Sequence, residues 1–105
     1  MAIKTRLTEA LGIEHPVMLA GMGGVSYHRL VAAVSEAGGF GCLGASTMPG
    51  DVMVEEIRAV KALTDKPFGV DLLTALGDLM PQVQQLIAEG TDLAYMRQLR
   101  KELPL

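Results

Sequence analysis

A chain of 105 residues with net charge −3 and half of its residues hydrophobic has the material for one domain with a real core. It carries no basic stripe or block, which argues against nucleic acid and anionic membranes as partners. Cys42 is the single cysteine, so a disulfide framework and a cysteine metal cluster are excluded, and no apolar run reaches the ~18 residues of a membrane span or resembles a signal peptide, so a cytoplasmic location is expected.

Thr5 to Leu11 predicts a short helix stopped by Gly12. Pro16 to Ala20 is an apolar strand, and Gly21 to Gly24 the turn that follows it. Ser26 is placed to cap a helix running to Ala37, with Leu30, Val31, Val34 and Ala37 on one face and Gly38 just past its end. Phe40 to Leu43 is a second apolar strand, followed by Gly44-Ala45-Ser46-Thr47. Pro49 suits the first turn of the next helix, whose buried side is Met53, Ile57, Val60 and Leu63, with Glu55 and Arg58 paired outside. Lys66-Pro67 ends it, and Phe68 to Leu72 forms a third strand. Asp78 caps a third helix of this series, Leu79 to Glu89, with Pro81 in its first turn and Gly90 as its stop. Strand and helix alternating at this spacing predict three βα units on a parallel sheet over residues 1–90. Residues 91–105 break the rhythm. A fourth strand is due, but Leu93, Met96, Leu99 and Leu103 recur at helical spacing, so an extra C-terminal helix is expected.

The stretch most suggestive of function is Pro16 to Gly24. Glycine has no Cβ, so backbone at Gly21, Gly23 and Gly24 can lie close to a flat ring or a phosphate. The same glycines also suit a plain tight connection, and Ser26 breaks the dinucleotide fingerprint Gly-x-Gly-x-x-Gly. Asp71 ends an apolar strand, where a carboxylate must be solvated, paired or used. Ser46 and Thr47 read first as caps of the next helix. His15 reads as a surface residue at a strand entrance, and His28 as an exposed residue in the first turn of a helix near the ligand end. Cys42 reads as a small core residue with no base placed near it. Glu55, Glu56 and Asp65 read as a solvated helix face. Met22 differs from the other methionines because a turn exposes it. These residues assign no catalytic group and no metal site.

Four stretches taken together resemble the amino-terminal part of the nitronate monooxygenase family, the 2-nitropropane dioxygenase-like flavoproteins. They are Leu11-Gly12-Ile13-Glu14-His15-Pro16, Leu19-Ala20-Gly21-Met22-Gly23-Gly24-Val25, Ala32-Ala33-Val34-Ser35-Glu36-Ala37-Gly38-Gly39-Phe40-Gly41 and Asp65-Lys66-Pro67-Phe68-Gly69-Val70-Asp71-Leu72. The resemblance implies part of a TIM barrel that holds FMN at the carboxyl ends of its strands and oxidises alkyl nitronates with molecular oxygen. It implies that Ala20, Gly21, Met22 and Gly23 lie along the flavin. It places Asp71 where many members carry an Asn that hydrogen-bonds the cofactor. An ionised Asp accepts but does not donate, so this is a departure. The family's catalytic histidine, in a Gly-Gly-His type loop, and its FMN phosphate loops fall downstream of residue 105, and neither His15 nor His28 matches that histidine.

These readings give two expectations of different class. As a partial flavin barrel, the 105 residues bind FMN weakly or not at all and do not turn over. As a non-catalytic α/β fragment, three barrel strands expose two open edges and self-associate. FMN-dependent enoyl reductases are a related alternative, because they share the glycine-rich first turn.

Overall fold

The computed structural model describes residues 3–72 together with residues 81, 84, 85, 88 and 89. The first element, α1 (Arg6–Leu11), ends at Gly12 as expected, while Thr5, expected as its first helical residue, is instead its amino-terminal cap. Thr5 and Thr8 exchange hydrogen bonds, each hydroxyl taking the other's N–H at 3.1 and 2.8 Å. Gly12 ends the helix in the left-handed conformation, φ +68°.

The expected strand from Pro16 to Ala20 forms only an isolated parallel bridge between Met18 and Phe40. Phe40 donates to the Val17 carbonyl and Leu19 to the Phe40 carbonyl, both at 2.9 Å. Pro16 has no N–H, and Val17 turns its own N–H back to the His15 carbonyl at 2.8 Å, so pairing cannot extend further towards the amino terminus.

Next comes α2 (His28–Glu36). Its cap is Tyr27, not Ser26, and its buried face is Val31, Ala32 and Ser35. Leu30 and Ala37, expected inside, are exposed, and Val34 is half-buried. β1 (Gly41–Gly44), α3 (Gly50–Leu63) and β2 (Phe68–Asp71) follow. Both strands fall within one residue of their expected bounds. They pair in parallel, Gly41 with Phe68 through Gly44 with Asp71. An α/β arrangement with parallel strands is therefore present. Backbone at residues 81, 84, 85 and 88 is helical, but most of the helix expected over Leu79 to Glu89 and the whole of the expected 91–105 helix lie outside the described residues.

The core lies between the strands and the two longer helices. Val31, Ala32, Leu43, Ala45, Met48, Met53, Ile57 and Val60 are buried there, and Leu19, Phe68, Val70 and Leu72 pack against them. Alternation along β1 and β2 sends Leu43, Phe68 and Val70 to the helix side and Cys42, Gly44, Gly69 and Asp71 to the other. Within α3 the expected Met53, Ile57 and Val60 are buried, but Leu63 is 54% exposed. It is the last residue of the helix. Pro49 is extended and caps α3 from outside rather than opening its first turn. Arg58 pairs with Glu89 at 2.9 Å, not with Glu55. Ser35 joins three segments: it takes the Gly41 N–H at 3.1 Å and donates to the Pro67 carbonyl at 2.8 Å.

Candidate functional site

The loop from Ala20 to Tyr27 connects the bridged segment to α2 across the carboxyl ends of β1 and β2. Two close approaches seat it. A Cβ built on Gly21 would overlap the Asp71 side chain, lying 2.6 Å from Oδ2. A Cβ built on Gly44 would lie 2.6 Å from the carbonyl carbon and oxygen of Met22. Gly21 thus lies on the last residue of β2, and the Met22 backbone on the last residue of β1. Any side chain at Gly21 or Gly44 would lift the loop off the strands.

Ser26 holds the loop closed. Its hydroxyl takes the Met22 N–H at 2.6 Å and donates to the Met22 carbonyl at 3.1 Å. That carbonyl also accepts the N–H groups of Val25 and Ser26 at 3.1 and 3.0 Å. The Ser26 carbonyl in turn accepts the Gly44 N–H at 3.0 Å, which ties the loop to β1. The expected capping role is lost because the hydroxyl is used here. Ser26 is fully buried, so satisfying it inside the loop avoids stranding a polar group.

Ala20, Met22, Gly23 and Gly24 are exposed, while Gly21 and Asp71 are half-buried. The N–H groups of Gly23 and Gly24 have no hydrogen-bond acceptor among the described residues. Opposite Gly23 stands Thr47, whose Oγ1 lies 3.5 Å from the position a Cβ would take. The Asp71 carbonyl accepts the Ala45 N–H at 3.2 Å and Ser46 Oγ at 3.5 Å, which joins the segment after β1 to the end of β2. The result is an open shelf of backbone with two N–H donors and one carboxylate beside it.

The structure thus brings Gly21, Met22 and Asp71 together, with Ala20 and Gly23 continuing the shelf on either side. Cys42 lies on the same sheet face, one alternation before Gly44. Burial raises its thiol pKa, and the Asp71 charge raises it further. His15 is remote, at the amino-terminal end of the strands, where its N–H meets the Gly38 carbonyl at 2.9 Å. A hollow lined by Gly12, Glu14, Glu36, Gly38, Lys66 and Pro67 opens at that same end, away from the loop.

The roles of three residues escaped the sequence. Gly44 reads there as one member of a small-residue run, and nothing local says that Met22 would rest on it. Glu56 reads as part of a solvated face and His28 as exposed. Instead the Glu56 carboxylate accepts the His28 N–H at 2.9 Å and lies 2.8 Å from His28 Nδ1. No sequence signal marks that pairing, because the partners are 28 residues apart on different helices.

A model of the nitronate monooxygenase family matches residues 4–100. The chain is 47% identical over 94 residues to a Mycobacterium tuberculosis protein named (3aS,4S,5R,7aS)-5-hydroxy-7a-methyl-1-oxo-octahydro-1H-indene-4-carboxyl-CoA dehydrogenase, a match covering 90% of this chain and 26% of that protein. It is 43% identical over 72 residues to a probable nitronate monooxygenase of Staphylococcus haemolyticus, covering 69% of this chain and 20% of the other. Among solved structures, FabK from Thermotoga maritima superposes with a TM-score of 0.81 at 34% identity, over 94% of this chain and 35% of that one. The chain therefore spans about a quarter of the length of the first of these curated relatives.

Proposed function

The chain belongs to the nitronate monooxygenase family, and we propose that it forms the part of a flavin-dependent oxidoreductase barrel against which the flavin ring lies. The observation that carries this reading is the seat of the 20–24 loop on Gly44 and Asp71, at the carboxyl ends of two parallel strands. Parallel α/β folds bind their ligands at that end.

The residues present fit a ring. Ala20, Gly21, Met22 and Gly23 offer a backbone surface that a planar group can approach closely. The N–H groups of Gly23 and Gly24, which have no acceptor among the described residues, would donate to acceptors on a ring edge. Asp71, held against Gly21, would accept from a donor on it. A bound flavin supplies two-electron redox chemistry that these side chains lack. The chain's own work is to orient the ring and hold the loop still. The resemblance in sequence favours an alkyl nitronate as the reductant, with molecular oxygen as oxidant. The dehydrogenase relative, at 47% identity, favours a second substrate class, an acyl-CoA thioester on a fused-ring skeleton.

FMN fluorescence titrated with the chain tests the loop. Weak quenching is expected, and Gly21→Ala should abolish it. Quenching that survives that substitution contradicts the assignment.

A second reading, association through the sheet, is supported by Met18 at 50% exposure and half-buried Phe40 and Cys42 on the side of the strands opposite the helices. Apart from Asp71 at its carboxyl end, that face is apolar and, among the described residues, carries no helix.

A further inference from the structure

The start of α2 is capped from outside its own segment. Tyr27, the cap residue, makes no side-chain cap hydrogen bond, and Ser26 is committed to Met22. The first N–H of the helix, that of His28, is nevertheless paired. Its acceptor is Glu56 Oε2, at 2.9 Å, from the middle of α3. The same oxygen lies 2.8 Å from His28 Nδ1, which carries the hydrogen when Glu56 is ionised. The Glu56 side chain is only 18% exposed, so this is a half-buried, doubly engaged carboxylate at a helix N-terminus, where negative charge is favoured.

We infer that Glu56 is a positioning residue for the glycine loop. It caps α2 from the neighbouring helix, which releases Ser26 from capping to close the loop over Gly44. The chain of contacts is continuous. Glu56 fixes His28, His28 follows Tyr27 and Ser26, and Ser26 fixes both the N–H and the carbonyl of Met22. The bearing of this latch on a ligand rests on the reading that the loop receives a flavin. The latch itself does not.

The test is amide hydrogen exchange on the whole 105-residue chain without ligand, comparing the unaltered protein with Glu56→Ala, Glu56→Asp and Glu56→Gln. Loss of the cap should speed exchange at His28 and at Met22 about fivefold, with little change at Leu43 in β1. Glu56→Asp, which shortens the reach but leaves a charge, should show the same selective loosening even if the alanine variant does not fold. Glu56→Gln keeps an oxygen acceptor and should recover part of the protection at both sites. A Met22 amide that stays protected while His28 loosens overturns the inference. So does a uniform change that includes Leu43. A parallel FMN titration separates the two claims: FMN-induced shifts gathered away from the loop, with the exchange pattern as expected, would remove the flavin reading and leave the latch standing.

Discussion

Replacing Gly21 by alanine puts a methyl group where the Asp71 side chain already stands. The expected cost is about 1–3 kcal/mol, the range for forced overpacking. Asp71→Gly should relieve much of it, so a double-mutant cycle in chemical denaturation is expected to show strong coupling between the two positions. Additive costs would mean that the loop does not rest there. Gly24 serves as the control. Its φ of +76° strains any side chain, but nothing lies within 4 Å of a Cβ there, so Gly24→Ala should cost only about 1 kcal/mol. Cys42 gives a second prediction. Burial and then the Asp71 charge hold its thiol above the ordinary value, so Asp71→Asn should lower the pKa and speed alkylation by iodoacetamide near pH 8. Unchanged or slower alkylation would contradict the contact. The sign for stability follows. A group whose folded pKa is raised contributes in full below its unfolded value, and that contribution is lost as pH rises through the higher folded one. Alkaline destabilisation from Cys42 is therefore expected, and it should shrink in Asp71→Asn.

At the scale of elements, the packing of α3 makes the sharpest prediction. Ile57→Ala in the core should cost about 2–5 kcal/mol, whereas Leu63→Ala on the exposed last turn should stay within about 0.5 kcal/mol. Thermal or urea unfolding of the two variants checks this. Equal losses would restore Leu63 to the core. The stop of α1 at Gly12 was legible from the sequence, although the exchange of hydrogen bonds between Thr5 and Thr8 that opens it was not read there. Periodicity also named Met53, Ile57 and Val60 correctly. What it could not show was competition between local and distant partners. Ser26 has the chemistry of a cap, yet Met22 claims its hydroxyl. Arg58 has a carboxylate three residues away in Glu55, yet Glu89 takes it. The stretch after Pro16 is apolar enough for a strand, but strand formation depends on which N–H groups find a partner across the gap, and that is a property of the sheet.

Over the whole molecule, the same limit governs the site. The glycine turn and Asp71 were visible one at a time, and their place at the carboxyl end followed from the βα order. Their mutual contact, and the part played by Gly44, needed the strands in register. The sheet face that carries Met18, Phe40 and Cys42 leads us to propose reversible association as concentration rises, seen in sedimentation velocity. A concentration-independent monomer with a cooperative melt would count against it. The function proposed for this chain rests on where a flavin touches it, and a ¹⁵N-resolved titration of the 105 residues with FMN measures that directly. Shifts gathered at Ala20, Gly21, Met22, Gly23 and Asp71 are the predicted result. Shifts gathered instead around the hollow of Gly12, Glu14, Lys66 and Pro67 would contradict it.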